Sequence, residues 1–507
     1  MNTQVPRSSI SSEKIKTEGI GVRHSEKKQG VTMSFRIMMI QLSHSHFVKD
    51  DSFIPLAKHE YMPEAYPLGL GYLSNALNDK GYKVEFVDLW AHPEEFYSFF
   101  LRVDNYDAIG ISFYITQYSQ LKYIVERIKN SNKKIPIIVG GPGAKPSYKI
   151  LLDNLPIDFI VFEEAEISLI NLTNEIFSDK NYRSVRGIAF RNEDNSCIVN
   201  EPQAPIKELD DLNFPDRECL DYHIYHKYSP MPGMEGMLST NVISGRGCPY
   251  KCVYCSKTFS GCRFRSIPNV ISEIKHLKEN FGIQSIIFND ELVVASQKRV
   301  YELCEGIKSL NVKWGCQGRV NTVDAPLLRK MKDSGCEYIG YGFESATQRI
   351  LDNMKKKINV SEMVKVYKMT KDMGIIPVIQ YMYGFIGENE ESLQDTIRFF
   401  KEIDFPALGF YVQAIPGTEL YEYCLERGLI TDEKEYLENF AFGYNQNRCT
   451  INFSEFPSIE ILNKKIQATR RRINMNYYKR HPIKFLEKCK EKVRGKFVSK
   501  NSNSLLH

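Results

Sequence analysis

From Phe35 onward the chain alternates short apolar runs with longer stretches in which apolar residues recur at helical spacing. RIMMIQL (36–42), KVEFVDL (83–89), DAIGIS (107–112), IPIIVGG (135–141) and DFIVF (158–162) read as five strands buried on both faces, since they are continuous rather than alternating. Between them LGLGYLSNALNDKG (68–81) and TQYSQLKYIVERIKNS (116–131) read as helices. This alternation predicts an α/β domain over 34–177 built on a doubly wound, Rossmann-like parallel sheet. Residues 178–236 break the rhythm: RGIAFRNEDNSCIVNEP (186–202) is a hairpin pattern turning near Glu193 to Asn195, followed by a linker punctuated with Pro and Gly. A second series of six strands begins at TNVIS (240–244). It continues with SIIFND (285–290), VKWGCQG (312–318), EYIGYGFE (337–344), IPVIQYMYG (376–384) and LGFYVQAIP (408–416). Six such units predict a partial (β/α)6 barrel over 237–420, with its site at the C-terminal ends of the strands. The pattern over 421–507 is helical and ends in a basic tail.

Composition narrows the class without changing this picture. In 507 residues, 42% apolar and 25% charged are the proportions of a globular chain able to bury a large core, which excludes collagen-like and low-complexity readings. Residues 1–33 are polar and aperiodic and are expected to be a disordered extension, with Met33 as an alternative start. They lack the apolar core of a signal peptide, and nothing elsewhere approaches the run of about 18 apolar residues that a membrane span needs. The chain is therefore read as cytoplasmic.

Charge is uneven. The whole chain carries +5, yet 461–500 holds 14 Lys/Arg against Glu487 and Glu491, a balance of +12. Such a tail fits a solvated helical face, or contact with an anionic surface such as a membrane. No RNP or zinc-finger pattern accompanies it, so no nucleic acid is expected.

Twelve cysteines in a cytoplasmic chain point to metal-binding, buried or reactive thiols rather than disulfides. None precedes Cys197, and Cys248, Cys252, Cys255 and Cys262 then fall close together just beyond the first barrel strand. Three thiolates at spacings of four and three suit three corners of an iron–sulfur cluster. Structural zinc is the competing reading, but it needs four ligands, and Cys262 would stand in an unusual register. His44, His46 and His92 are isolated histidines and are set aside as surface or core residues.

Cys248-Pro-Tyr-Lys-Cys252-Val-Tyr254-Cys255 resembles the signature of the radical S-adenosylmethionine (SAM) superfamily. The resemblance implies a 4Fe-4S cluster on Cys248, Cys252 and Cys255 whose open iron binds SAM, an external one-electron reductant of the flavodoxin or ferredoxin type, and a 5′-deoxyadenosyl radical as product of SAM cleavage. The resemblance also implies SAM contacts from Tyr254, from Glu344 and Ser345 in Gly342-Phe-Glu344-Ser345, and from Gly384 and Gly387 in Gly384-Phe-Ile-Gly387-Glu388, while Pro416-Gly417-Thr418 matches the PGT that commonly follows strand six. In the fifth-strand segment Ile386 replaces the usual Pro. Asn289-Asp290-Glu291 stands where relatives often carry an Asp-Asp pair.

The N-terminal half resembles the cobalamin-binding domain of one large radical SAM subfamily, through Pro67-Leu-Gly69-Leu-Gly71, Asp107 to Ser112, Val139-Gly140-Gly141-Pro142 and the Phe-Pro-Asp of 214–216. This implies cobalamin contacts from Ser112, Gly140, Gly141 and Pro142. The DxHxxG element that ligates cobalt in many cobalamin domains is absent, since Asp88-Leu-Trp90-Ala-His92 has neither its spacing nor its glycine, and Glu163-Glu164-Ala165-Glu166 departs from the relatives' GEGE. The expectation is a cobalamin-dependent radical SAM methyltransferase acting on an unactivated carbon or phosphorus centre of a small-molecule or lipid-like substrate. The alternatives are a radical SAM cyclase, rearrangement or other oxidative enzyme on the same architecture, with or without cobalamin, and, more remotely, a non-catalytic metal-stabilised binding protein.

Overall fold

The computed structural model describes residues 35–489 apart from 45, 50–51, 56–64, 227–228, 230 and 445–448. The extension over 1–33 and the end of the basic tail over 490–507 lie outside the described residues.

The first sheet is laid down by β1 (Arg36–Gln41), β4 (Lys83–Asp88), β5 (Ala108–Ser112), β6 (Ile137–Gly140) and β7 (Phe159–Val161), which pair in parallel in the order β4-β1-β5-β6-β7. These are the five apolar runs, and helices on both faces bury their aliphatic side chains in two separate clusters. Chain order reverses between β1 and β5, so the switch point of the sheet lies at their C-terminal ends. Two departures from the sequence reading concern hairpins. The strands of the linker hairpin, β8 (Ile188–Arg191) and β9 (Cys197–Val199), continue this sheet, because β8 pairs antiparallel with β7. A second hairpin, β2 (His46–Lys49) with β3 (Ser52–Pro55), was not expected, being two four-residue strands with no periodic signature.

The second sheet is an open six-stranded parallel half-barrel: β10 (Ser239–Val242), β13 (Ser285–Phe288), β14 (Lys313–Gly318), β15 (Cys336–Glu344), β16 (Ile376–Tyr383) and β17 (Phe410–Tyr411), in sequence order. Trp314, Phe288, Tyr341 and Phe343 fill its core, and Trp314 Nε1 donates to Ser334 O at 3.2 Å so that the buried indole is satisfied. Several of the intervening helices begin at side-chain caps, as Ser266 does for Ile267–Phe281, which ends at Gly282 with φ +68°.

The C-terminal helices join the two halves. Glu433–Tyr444 inserts Leu437 and Phe440 into the first-sheet core, while Ile459–Arg480 packs Leu462, Ile466 and Ile473 on the barrel, lays the Arg470 guanidinium over the rings of Tyr383 and Tyr411, and turns Lys464, Arg471 and Arg472 outward. Asp216 of the Phe-Pro-Asp segment clamps helix Leu68–Asn78, accepting from Ser74 Oγ at 2.8 Å and donating its N–H to Gly71 O at 3.1 Å. Among the described residues no helix is long and apolar enough to cross a membrane.

Candidate active site between the two sheets

The cysteine loop is closed by a small antiparallel clasp, β11 (Gly245–Arg246) with β12 (Arg263–Phe264). Gly247 must be glycine here: its φ is +89°, and a Cβ would collide with the carbonyl of Gly261 across the neck of the loop. Backbone bonds then fix the loop on the barrel, from Val253 N–H to Met354 O at 3.2 Å and from Leu420 N–H to Val253 O at 2.9 Å. Lys257 Nζ donates to Cys248 O at 2.9 Å, and Thr258 N–H donates to Glu291 Oε1 at 3.1 Å. Cys248 packs against the barrel core, whereas Cys252 and Cys255 line a cavity. Burial pushes the Cys255 thiol up to about 11, and Cys252, Glu291 and Cys248 push it the same way. Only a strongly cationic centre would hold such neighbouring thiols as thiolates. Among the described residues no three side chains converge as the ligands of one ion would. A donor set of three cysteines on one loop fits a cluster, whose ligands sit on separate irons.

Beside this loop Lys356 Nζ bridges Tyr254 Oη at 3.1 Å and Glu344 Oε1 at 2.9 Å, and Phe385 meets the Tyr254 ring edge-on at 6.2 Å. Glu344 ends β15 in the left-handed region at φ +64°, where the pairing with β16 slips, and a Cβ at Gly342 would strike its carboxylate and the Lys356 ammonium. A strained non-glycine residue whose space is kept open by a neighbouring glycine is a feature of functional positions. Ser345 is buried next to it, its Oγ accepting from Thr347 N–H at 3.2 Å. Tyr254, Glu344 and Ser345 adjoin the cysteine loop without lining the cavity, and Gly384 and Gly387 also stand apart from its lining. These two glycines form a turn with φ +85° and +90°, in which Gly384 N–H donates to the Glu388 carboxylate and Arg349 Nη2 donates to Gly387 O at 2.8 Å. Desolvation raises Glu388 to about 7. Asp290 anchors the end of β10 through Ser244 N–H at 2.8 Å and Ser244 Oγ at 2.7 Å; Glu291 faces the cavity.

The cavity has a volume of about 1110 Å³, slightly above the about 300–1,000 Å³ usual for ligand sites. Its other wall is the C-terminal edge of the first sheet, and Ser112, Gly140, Gly141 and Pro142 all lie on it. The two glycines differ. At Gly141, with φ +98°, a Cβ would come within 2.8 Å of Phe113 O and 2.9 Å of Phe113 N, so the fold itself demands glycine. At Gly140 the nearest atom would be Val161 O at 3.9 Å, and at Gly69 nothing lies within 4 Å. Both line the cavity without being needed for packing, which leaves room for a broad ligand to approach the backbone. The indole Nε1 of Trp90, also on the wall, is buried and has no acceptor among the described residues.

Sequence reasoning missed the residues that bind the walls together. Arg246 is buried between the rings of Tyr72 and Phe259, each 5.1 Å away, and pairs with Glu166 at 2.6 Å and Glu164 at 3.4 Å; Arg263 also pairs with Glu164. These pairs join residues about 80–100 positions apart, and no local pattern announces them. Glu163 keeps a left-handed backbone, φ +46°, at a position where the resemblance expects glycine, whereas Ala165 simply begins helix Ala165–Ile176.

Two family models match the chain: a B12 binding domain over residues 57–173 and the radical SAM superfamily over residues 242–400. An uncharacterised methyltransferase of Pyrococcus horikoshii is 28% identical over 72% of this chain and 79% of its own length. An anaerobic magnesium-protoporphyrin IX monomethyl ester cyclase of Rubrivivax gelatinosus is 27% identical over 66% of this chain and 62% of its own. Among solved structures, the radical SAM methyltransferase TsrM from Kitasatospora setae, bound to cobalamin and a 4Fe-4S cluster, shares the fold with a TM-score of 0.60 at 15% identity, over 78% of this chain and 75% of that one.

Proposed function

Since the chain belongs to the radical SAM superfamily and carries a B12-binding domain ahead of the radical SAM domain, we propose that it is a cobalamin-dependent radical SAM methyltransferase acting on an unactivated carbon or phosphorus centre. The observation that carries this reading is the single cavity lined on one side by Cys252 and Cys255 and on the other by Ser112, Gly140 and Gly141. Two cofactors can work on one substrate only if they face a common space. When bound, the reduced 4Fe-4S cluster supplies the electron that cleaves SAM, and the corrinoid supplies the methyl group.

The chain's own residues do the rest. Cys248, Cys252 and Cys255 hold the cluster and leave one iron open. Tyr254, Glu344 and Ser345 orient SAM, with Lys356 fixing the first two, while the Gly384–Gly387 turn supports this wall from outside the cavity. Ser112, Gly140, Gly141 and Pro142 receive the corrinoid on the sheet edge. The reductant is of the flavodoxin or ferredoxin type, and free thiols at the site suit the reducing cytoplasm. Beyond Arg480, exposed Ile483, Phe485 and Leu486 lie among Lys484 and Lys488, which supports peripheral contact with an anionic membrane and thus a lipid-like substrate. Phe485→Glu/Leu486→Glu is expected to lose co-sedimentation with anionic vesicles; undiminished binding contradicts the contact.

Reconstituted anaerobically, supplied with reduced corrinoid and SAM, the protein is expected to form S-adenosylhomocysteine without any acceptor, and only when corrinoid is present. Formation of 5′-deoxyadenosine alone would favour the second reading, a radical SAM cyclase or rearrangement enzyme, which the similarity to the Rubrivivax gelatinosus cyclase supports.

A further inference from the structure

Among the described residues four arginines are buried, and three of them have a carboxylate beside the guanidinium: Arg217 and Arg265 share Glu273, and Arg246 pairs with Glu166. Arg319 is the exception. It directly follows β14 at the C-terminal face of the barrel, is 6% exposed, and pairs with no carboxylate among the described residues. Its Nε donates to Asn321 Oδ1 at 3.0 Å, while Nη2 is buried and has no acceptor there. The guanidinium lies over the ring of Tyr250, 3.6 Å from its centroid. Tyr250 stands between Cys248 and Cys252, so this unpaired cation is packed against the cysteine loop itself. The other cations beside the loop are accounted for: Lys356 is paired with Glu344, and Lys257 is exposed and bound to Cys248 O.

A buried cation without a counter-charge is costly, because its desolvation is repaid only by a close anion. Three thiolates around a 4Fe-4S core supply one, since that assembly is net negative and one-electron reduction makes it more so. Resting on the reading that Cys248, Cys252 and Cys255 hold such a cluster, we infer that Arg319 tunes its potential: the buried positive charge favours the reduced state and makes the cluster easier to load. The electron comes from the external one-electron donor, and no bond is made or broken at Arg319. The stack on Tyr250 fixes the guanidinium, and burial leaves its charge poorly screened by solvent. No local sequence pattern announces this residue, because what singles it out is the partner it lacks.

The test is a redox titration of the reconstituted full-length protein without SAM, the reduced cluster being followed by electron paramagnetic resonance. At the potential where the wild-type cluster is half reduced, Arg319→Met and Arg319→Gln are expected to show a reduced-to-oxidised ratio about tenfold lower, a midpoint about 59 mV more negative for a one-electron couple. Arg319→Lys, which keeps the charge, should stay near the wild type. An unmoved midpoint in a neutral variant that holds as much iron and sulfide as the wild type overturns the inference. So does a midpoint in Arg319→Lys as low as in the neutral variants, or a shift that appears only when SAM is added, which would give the guanidinium to SAM instead. Failure of the wild-type protein to assemble any 4Fe-4S cluster overturns the cluster reading, and the role of Arg319 falls with it. Should neither neutral variant take up a cluster, thermal melts of the cluster-free full-length proteins decide. Arg319→Met should then melt no lower than the wild type, since an unpaired buried charge stabilises nothing until its anion arrives; a lower melting temperature would make Arg319 a structural prop and overturn the inference.

Discussion

The two walls of the cavity are built on opposite principles. The barrel wall works by the side chains it presents: Cys252 and Cys255 on the cavity, with Cys248 on the same loop and a Tyr254–Lys356–Glu344 bridge next to it, off the lining. The sheet wall works largely by side chains it omits, because Gly69 and Gly140 leave open space that no packing requirement explains. Removing atoms should therefore disable the first wall, whereas adding atoms should disable the second. Between them lie the buried pairs of Arg246 with Glu164 and Glu166, which belong to neither chemistry but hold the walls at one separation.

The largest effect is expected from Cys252→Ala, which should drop bound iron and bring SAM cleavage to background while leaving corrinoid retention intact. Cleavage by the variant would break the assignment of the barrel wall. Arg246→Ala should come next, since removing one partner of a buried ion pair costs about 3–5 kcal/mol. The loss should appear in chemical denaturation, and a drop below about 1 kcal/mol would mean the walls are joined otherwise. The glycine pair sharpens the contrast on the sheet wall. Gly140→Leu should weaken corrinoid retention about tenfold or more, or about 1.4 kcal/mol, with little change in melting temperature. Gly141→Ala should destabilise the fold by about 1–3 kcal/mol through its left-handed backbone and the clash with Phe113. Equal behaviour of the two would erase the distinction between an open glycine and a structural one.

The smallest effect concerns Glu388. Its pKa is raised to about 7 in the folded chain, so the native state binds more protons than the unfolded one at intermediate pH. Stability from this group is present below about 4.5 and is lost as pH rises toward about 7. Glu388→Gln should remove this decline and be more stable than the parent at pH 8. An unchanged slope in thermal melts between pH 5 and 7 would show that Glu388 is not its source.

How far the sequence disclosed this arrangement follows from how local each signal is. The eleven apolar runs are strands because continuous burial writes itself into consecutive residues, and the cysteine cluster is legible because ligation by one loop would require close, fixed spacings. The short β2–β3 hairpin carries no period, and the pairing of β8 on β7 is a contact between distant segments. Gly140 and Gly141 look alike as letters, and only the neighbours of a would-be Cβ separate them. Gly384 and Gly387, expected beside SAM, make a turn braced by Arg349 and Glu388, a role that a glycine motif equally permits. Arg246 was invisible for the same reason: what matters about it is a partner supplied from elsewhere in the chain.

The central claim is that one cavity between the two sheets serves two cofactors. Its most direct test is to purify the protein anaerobically from cobalamin-supplied cells, reconstitute the cluster, and measure iron, sulfide and corrinoid in the same sample. The account predicts about four irons with matching sulfide and one corrinoid per chain. Zinc in place of iron, or a full cluster with no corrinoid, would contradict it.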